Sequence, residues 1–124
     1  MKTVIYLAGP ISGPLMLENR QRFYDVEAKV LTQWFGSIEK VILNPATLPL
    51  GLTQQDYMSI CLPMLYAADS VVMLEGWEQS AGACIEFDMA KKCGKRVLSE
   101  AGKLLFIPSR PDSFVPENWR LARD

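Results

Sequence analysis

The sequence contains no histidine in its 124 residues, and this absence removes several classes of enzyme mechanism. Ser-His-Asp triads, histidine-activated cysteine nucleophiles and nearly all zinc sites that need imidazole are excluded. Acid–base chemistry must therefore come from carboxylates, tyrosine or lysine. The three cysteines, Cys61, Cys84 and Cys93, form no C-x-x-C pair, so we expect buried reduced thiols and neither a disulfide framework nor a metal site.

Basic clusters and long apolar runs are also missing. The formal net charge is −1 and no dense Lys/Arg stretch occurs, so we expect no nucleic-acid polymer as a partner. No apolar run is long enough to cross a bilayer, and the N-terminus enters a strand directly, which predicts a cytoplasmic protein without membrane attachment. The length of 124 residues and the 49% hydrophobic content predict a single domain over residues 1–124. The near-neutral charge favours a small molecule as the partner.

Strand-like and helix-like segments alternate along the chain. Apolar runs predict strands at Lys2–Ala8, Lys40–Asn44, Asp69–Leu74, Lys95–Ser99 and Leu104–Ile107. Helical periodicity predicts helices over Glu18–Phe35, after a capping box at Thr53–Asp56 with a kink or break at Pro63, and after Ser80. This alternation predicts an α/β fold, a three-layer Rossmann-like (flavodoxin-like) domain with a mostly parallel sheet of about five strands. The short link before the last run leaves an antiparallel hairpin as an alternative there.

Glu86 interrupts the apolar stripe of the helix that follows Ser80. Its helical neighbours three, four and seven positions away are all small or apolar: Gly82, Ala83, Met89, Ala90 and Cys93. A carboxylate in such a stripe is desolvated unless a charged or hydrogen-bonding group meets it, and functional carboxylates often occupy such positions. The alternative is a rim residue that reaches water past the small side chains.

Several polar or glycine-containing segments belong to one edge of the predicted sheet. Ligands of parallel sheets bind beyond the carboxyl ends of the strands, where the sequence places Tyr6 with the Gly9–Gly13 loop, Asn44 and the Glu75–Ser80 loop. Each segment has an ordinary alternative, such as strand packing for Tyr6, a plain turn for the glycines and turn capping for Asn44. Their convergence on one crevice favours a functional role for Glu86.

Three segments carry a family resemblance: Tyr6-Leu7-Ala8-Gly9-Pro10-Ile11-Ser12-Gly13, Ala68-Asp69-Ser70 and Ser80-Ala81-Gly82-Ala83-Cys84-Ile85-Glu86. Together they resemble the nucleoside 2-deoxyribosyltransferase superfamily over about Lys2 to Leu98. Their spacing is similar to that of the 2′-deoxynucleoside 5′-monophosphate N-glycosidases. With Gly76-Trp77-Glu78, the chain most resembles a phage and bacterial subgroup labelled a domain of unknown function.

The resemblance implies an N-glycosidase or 2′-deoxyribosyltransferase that needs neither a metal nor another cofactor. Glu86 would attack C1′ of the sugar and form a glycosyl-enzyme intermediate. Asp69 would assist protonation of the leaving base or orient the sugar, and Tyr6 would hold Glu86 by a hydrogen bond. A non-catalytic nucleotide-binding or sequestering protein on the same scaffold is the alternative.

The same resemblance implies the substrate-binding residues Gly9, Ile11, Ser12, Gly13, Asn44, Trp77, Ser80 and Gly82. Ser80 occupies a position where the transferases have an acid and the monophosphate hydrolases have serine, which favours a nucleoside 5′-monophosphate over a free nucleoside. Ser12 stands where those hydrolases commonly have an arginine. Trp77 would stack on the base or act as a lid or interface residue. The relatives are homodimers or larger, so a homo-oligomer is expected.

Overall fold

The structure, a computed structural model, describes residues 2–108; Met1 and residues 109–124 lie outside the described part. Its strands are β1 (Lys2–Ala8), β2 (Glu39–Leu43), β3 (Ser70–Met73), β4 (Arg96–Ser99) and β5 (Leu104–Phe106). Its α-helices are α1 (Met16–Gln33), α2 (Gln54–Ala67) and α3 (Ala81–Lys92), and short 3-10 turns occupy Pro45–Thr47 and Trp77–Gln79. None of the helices within residues 2–108 is long and apolar enough to cross a bilayer.

The strands form one sheet in the order β2-β1-β3-β4-β5. The first four strands are parallel to their neighbours, and β5 runs antiparallel to β4. This topology confirms the predicted α/β fold with a mostly parallel, five-stranded sheet, and it resolves the last connection as a hairpin. The chain moves outward from β1 to β2 and then returns past β1 to β3, so the switch point for ligands lies at the carboxyl ends of β1 and β3.

Helices cover both faces of the sheet because successive side chains of the strands point to opposite sides. Ile5 and Leu7 of β1 pack on the face covered by α1, which contributes Phe23, Val26 and Val30. Tyr6 and Ala8 pack on the other face, where α2 and α3 lie. The alternation along β1 therefore directs Tyr6 toward the helix that carries Glu86.

Helix α2 runs from Gln54 to Ala67 through Pro63 without the break that the proline predicted. Proline lacks the N–H that would bond one turn back, so the helix loses one internal hydrogen bond there. Cys61 and Leu65 on either side of Pro63 are buried against the sheet, and this packing keeps the two halves together.

The predicted capping box begins α2. Thr53 Oγ1 accepts a hydrogen bond from the Asp56 N–H at 3.1 Å, and Asp56 Oδ2 accepts one from the Thr53 N–H at 3.3 Å. Two N–H groups of the first turn are thereby satisfied by side chains. The first turns of α2 also line the cavity described below, so this cap fixes one of the cavity walls.

We expect Thr53→Ala to lower the free energy of unfolding by about 1 kcal/mol, the usual cost of losing an N-cap side chain. Urea denaturation measures this change. Thr32→Ala is the matched control, because Thr32 is exposed near the end of α1 and bonds only to carbonyls of its own helix. Alanine is the better helix former there, so the control leaves stability unchanged or slightly raised. Equal losses in both variants would contradict the capping role.

Candidate active site

A cavity of about 360 Å³ lies at the carboxyl end of β1. Three segments form most of its wall: the loop after β1, the first turns of α2 and the first turns of α3. The lining residues are Tyr6, Gly9, Pro10, Ile11, Ser12, Pro45, Gln54, Tyr57, Met58, Cys61, Gln79, Ser80, Ala81, Gly82, Ala83 and Glu86. The cavity therefore occupies the ligand position that the sheet topology predicts.

Glu86 lines this cavity although its residue is only 5% exposed. The fully buried Tyr6 donates its hydroxyl hydrogen to Glu86 Oε2. Tyr6 comes from the middle of β1 and Glu86 from the second turn of α3, so the contact joins the sheet to the helix layer. This hydrogen bond is the partner that a carboxylate in an apolar helix stripe requires.

Burial determines how both groups titrate. Desolvation raises the pKa of Glu86 from 4.5 to about 7, and the hydrogen bond from Tyr6 opposes part of that rise. Desolvation, reinforced by the charge of Glu86, raises the pKa of Tyr6 well above its usual value. Tyr6 therefore stays protonated as a donor at neutral pH, while Glu86 exchanges between its acid and its carboxylate form.

Cys61 is a third titratable group of this cavity, and sequence reasoning placed it in the core without identifying it as a site residue. Burial raises the pKa of its thiol to about 11, while its contact with the Tyr6 hydroxyl lowers that pKa and the charge of Glu86 raises it further. Gln54, Met58 and Cys61 recur at spacings of four and three residues, which places them on one face of α2. This shared face of α2 is the sequence pattern that could have identified Cys61 as a cavity residue.

Seven of the residues implied by the resemblance line the cavity: Tyr6, Gly9, Ile11, Ser12, Ser80, Gly82 and Glu86. Gly9 is required by packing as well, since a Cβ there would lie 2.8 Å from Leu74 Cβ. A Cβ at Gly82 would lie 2.5 Å from Gln54 Nε2 and 3.2 Å from Met58 Sδ. The missing side chain at Gly82 thus lets α2 and α3 approach each other around the cavity.

Asp69 does not line the cavity, which corrects the role expected for it. It precedes β3 at the amino end of that strand, whereas the cavity opens at the carboxyl end of β1. Its Oδ2 accepts a hydrogen bond from the Val4 N–H at 2.9 Å, and its own N–H bonds to the Val4 carbonyl. Asp69 therefore joins β1 to the start of β3 and is not one of the residues that face the cavity.

Asn44 has a local structural role instead of lining the cavity. Its side-chain oxygen accepts from the Ala46 N–H at 2.8 Å, its amide donates to Glu27 at 2.9 Å, and the residue is 3% exposed. Gly13 adopts a positive φ of 97° in the loop after β1, and it too lies outside the lining. Both residues shape the loops around the cavity without facing it.

Trp77 packs its ring against Phe87 with the ring centroids 4.7 Å apart. It lines a separate cavity of about 450 Å³, together with Glu75 and Glu100, and not the cavity that contains Glu86. The stacking on a base expected for Trp77 therefore has no support in this geometry.

Glu86 is the only side chain with a formal charge among the lining residues of the described chain. Arg20 lies behind the wall, where its guanidinium donates to the carbonyls of Ala46 and Leu48 and to the Tyr57 hydroxyl. Within residues 2–108, no cluster of three or more metal-ligating side chains could hold an ion. The electrostatic character of the cavity thus comes from one carboxyl group and from neutral hydrogen-bonding groups.

Neutral polar side chains, Ser12 and Ser80 among them, also line the cavity. Ser80 caps α3, and its Oγ accepts from the Ala83 N–H at 3.3 Å. Ser12 Oγ donates to Gln54 Oε1 at 3.2 Å and so links the loop after β1 to α2. The first N–H groups of α3 and the positive end of its dipole suit an anionic group at this place.

The raised pKa of Glu86 makes folding stability depend on pH. Its folded pKa lies above its unfolded value, so the stabilising contribution is complete below pH 4.5 and is lost as pH rises through about 7. Relative to Glu86→Gln, the wild type should lose about 3 kcal/mol of unfolding free energy between pH 4 and pH 8. Urea unfolding across this range measures the difference, with Asp88→Asn on the exposed side of α3 as a control that lacks this loss. A difference independent of pH would show that Glu86 is not desolvated.

Two solved structures have a similar fold. The 2-deoxyribosyltransferase from the psychrotolerant bacterium Bacillus psychrosaccharolyticus aligns with a TM-score of 0.53 and 17% identity, over 77% of this chain and 70% of that protein. A conserved protein from Enterococcus faecalis V583 aligns with a TM-score of 0.52 and 19% identity, over 80% of this chain and 63% of that protein. At these identities the alignments establish that the three proteins share a fold.

No curated protein matches the sequence. The profile of a family described as Domain of unknown function (DUF4406) matches residues 3–99, which include β1 apart from its first residue, β2 to β4, and every residue that lines the Glu86 cavity. Because this match covers more than half of the sequence, the chain belongs to the DUF4406 family.

Proposed function

We propose that this protein cleaves or transfers the N-glycosidic bond of a (deoxy)nucleoside 5′-monophosphate, with Glu86 as the nucleophile. One observation carries the proposal: a buried carboxyl group, held by the Tyr6 hydroxyl, lines a cavity at the switch point of the sheet. The fold shared with a 2-deoxyribosyltransferase supports the same class of chemistry.

In the proposed reaction, ionised Glu86 attacks C1′ as the bond from C1′ to the base nitrogen breaks. The bonding electrons leave with the base, which takes up a proton, and a glycosyl ester forms on Glu86. Water or a second base then attacks C1′, loses a proton and releases the carboxylate. The negative charge of Glu86 stabilises the oxocarbenium-like transition state of both steps.

The pKa of Glu86 suits this role at neutral pH. A pKa of about 7 leaves a large ionised fraction, and a carboxylate surrounded by apolar groups attacks more readily than one that is fully hydrated. Tyr6 fixes one carboxylate oxygen, which limits the rotation of the side chain. Tyr6 is therefore proposed to position the nucleophile.

The 5′-phosphate is proposed to bind near Ser80 and the first turn of α3, with the Gly9–Ser12 loop beside it. These groups offer N–H and hydroxyl donors and the positive end of the helix dipole. Binding energy at this remote group would help to place C1′ against Glu86. Because the Ser80 side chain is neutral, it does not repel the phosphate as an acidic side chain at this position would.

A non-catalytic nucleotide-binding protein is the alternative function. The absence of a lining Lys or Arg within the described chain makes tight phosphate binding dependent on neutral donors alone. Binding of a monophosphate without release of base, unchanged by Glu86→Gln, would favour this alternative.

Glu86→Gln should lower the rate of base release by about a thousandfold or more, because the amide cannot act as the nucleophile while its shape is nearly the same. Chromatography of free base from a panel of deoxynucleoside monophosphates measures this rate. Asp88→Asn is the matched control on the same helix, since Asp88 is exposed and, among residues 2–108, forms an ion pair with Lys91 alone. No release by the wild type, or equal release by Glu86→Gln, would refute the proposal.

Ser80→Asp should selectively impair the reaction of monophosphates. Aspartate is also a good N-cap, so α3 keeps its cap while a negative charge is added where the phosphate is proposed to bind. We expect kcat/KM to fall at least about tenfold for a monophosphate and much less for the corresponding nucleoside. Ser80→Asn, a neutral cap, should leave this preference in place. An equal effect of Ser80→Asp on both substrates would place the phosphate elsewhere.

A further inference from the structure

Arg20 of α1 donates hydrogen bonds to neutral acceptors. Its Nη1 donates to the carbonyls of Ala46 and Leu48 at 2.8 and 2.7 Å. Its Nη2 donates to the Tyr57 hydroxyl at 2.7 Å and to the Pro49 carbonyl at 3.4 Å. Its Nε is buried and has no hydrogen-bond partner among residues 2–108. These bonds fix the guanidinium behind the loop that follows β2 without supplying a negative charge.

The positive charge of Arg20 is not neutralised by an ion pair. Within residues 2–108, Arg22 pairs with Glu100 and Lys91 pairs with Asp88, but no carboxylate pairs with Arg20. An arginine side chain always carries its charge in proteins. Carbonyl and hydroxyl groups stabilise that charge through their dipoles, but they do not cancel its attraction for a more distant anion. Arg20 therefore places a positive potential in its surroundings.

This charge lies directly behind the wall of the Glu86 cavity. Pro45 and Tyr57 line the cavity, and Arg20 bonds to the Tyr57 hydroxyl and to the carbonyl of the residue after Pro45. Its guanidinium carbon is 5.9 Å from the centroid of the Tyr57 ring. Four other cations of the described chain bond to groups outside the lining: Arg22, Lys29, Lys40 and Lys95. The side chain of Tyr57 thus separates Arg20 from a ligand in the cavity.

We propose that Arg20 is a specificity-determining residue, whose uncompensated charge behind Tyr57 makes the cavity prefer a substrate that carries a phosphate. The inference rests on the proposed function, because it concerns the anionic part of that substrate. Protein without mobile ions lies between the two charges, so their attraction is screened less than it would be in water. The lining itself offers the phosphate neutral donors and no full positive charge. Arg20 supplies that charge without touching the ligand.

Arg20 also has a structural role, because it holds carbonyls of the loop after β2. Loss of this role would weaken the binding of any ligand, whereas loss of the charge would selectively weaken the binding of phosphorylated ligands. The ratio of the affinities for a nucleoside 5′-monophosphate and for its nucleoside therefore separates the two roles.

Isothermal titration calorimetry with the four common 2′-deoxynucleoside 5′-monophosphates and their nucleosides measures this ratio. All variants carry Glu86→Gln, so that turnover does not consume the ligand. We expect Arg20→Gln, which keeps an N–H donor, to weaken monophosphate binding about tenfold and nucleoside binding less than about twofold. Arg20→Lys keeps the charge and should retain most of the preference. Arg22→Gln is the matched control, because it removes the same charge from the same helix at a residue that is paired with Glu100.

The salt dependence of binding gives a second measurement that needs no change at Arg20. In the Glu86→Gln protein, the affinity for a monophosphate should fall about threefold between about 50 mM and about 500 mM NaCl, because salt weakens the attraction between opposite charges. The affinity for the nucleoside should stay the same.

Equal losses for both ligands in Arg20→Gln, or monophosphate binding that does not depend on salt, would overturn the proposal. A selective loss without base release by the wild type would support the role of Arg20 and refute the proposed chemistry. Base release by the wild type with an unchanged preference in Arg20→Gln would do the reverse. The absence of binding by all of these ligands would refute both.

Discussion

The hydrogen bond from Tyr6 to Glu86 is the interaction on which the site depends. Moving an ionised carboxylate out of water costs several kcal/mol, and a protein retains such a group only where its acid form or a donor offsets that cost. Both occur here, since burial raises the pKa of Glu86 to about 7 and Tyr6 donates to it. The folded chain therefore keeps a carboxyl group that is close to the balance between its two protonation states.

The α/β topology explains how these groups come to one place. β1 lies between β2 and β3 in the sheet, at the switch point, and the alternation of its side chains turns Tyr6 toward α2 and α3. The two helices approach closely because Gly82 has no side chain to separate them. One strand and two helices thus supply the phenol, the thiol and the carboxylate, and the first turns of the same helices form the cavity walls.

The local periodicity of the sequence predicted the fold and the burial of Glu86. Glu86 stood out because helix α3 has only small or apolar neighbours on that face, and the structure buries it there. The catalytic role expected for Asp69 was wrong because it rested on the residue type alone. Asp69 lies at the amino end of β3, which is the edge of the sheet away from the cavity. Asn44 and Trp77 satisfied local needs, a cap and an aromatic contact, which a sequence motif does not distinguish from ligand contacts. Cys61 and Tyr6 are far apart in the chain but line the same cavity, so no local pattern could place them together.

Electrostatics would also limit how the proposed phosphorylated substrate fits the cavity. An anion brought close to Glu86 would raise the pKa of this carboxyl group further and reduce its ionised fraction. Helix α3 offers a way to separate the two charges, because its capped N-terminus and Glu86 lie more than one turn apart on the same helix. A phosphate at the first turn would gain the N–H donors and the helix dipole while C1′ lies near the second turn. Since no lining Lys or Arg of the described chain screens the two charges from each other, this separation along α3 would be the condition for holding the proposed phosphate while Glu86, the proposed nucleophile, stays ionised.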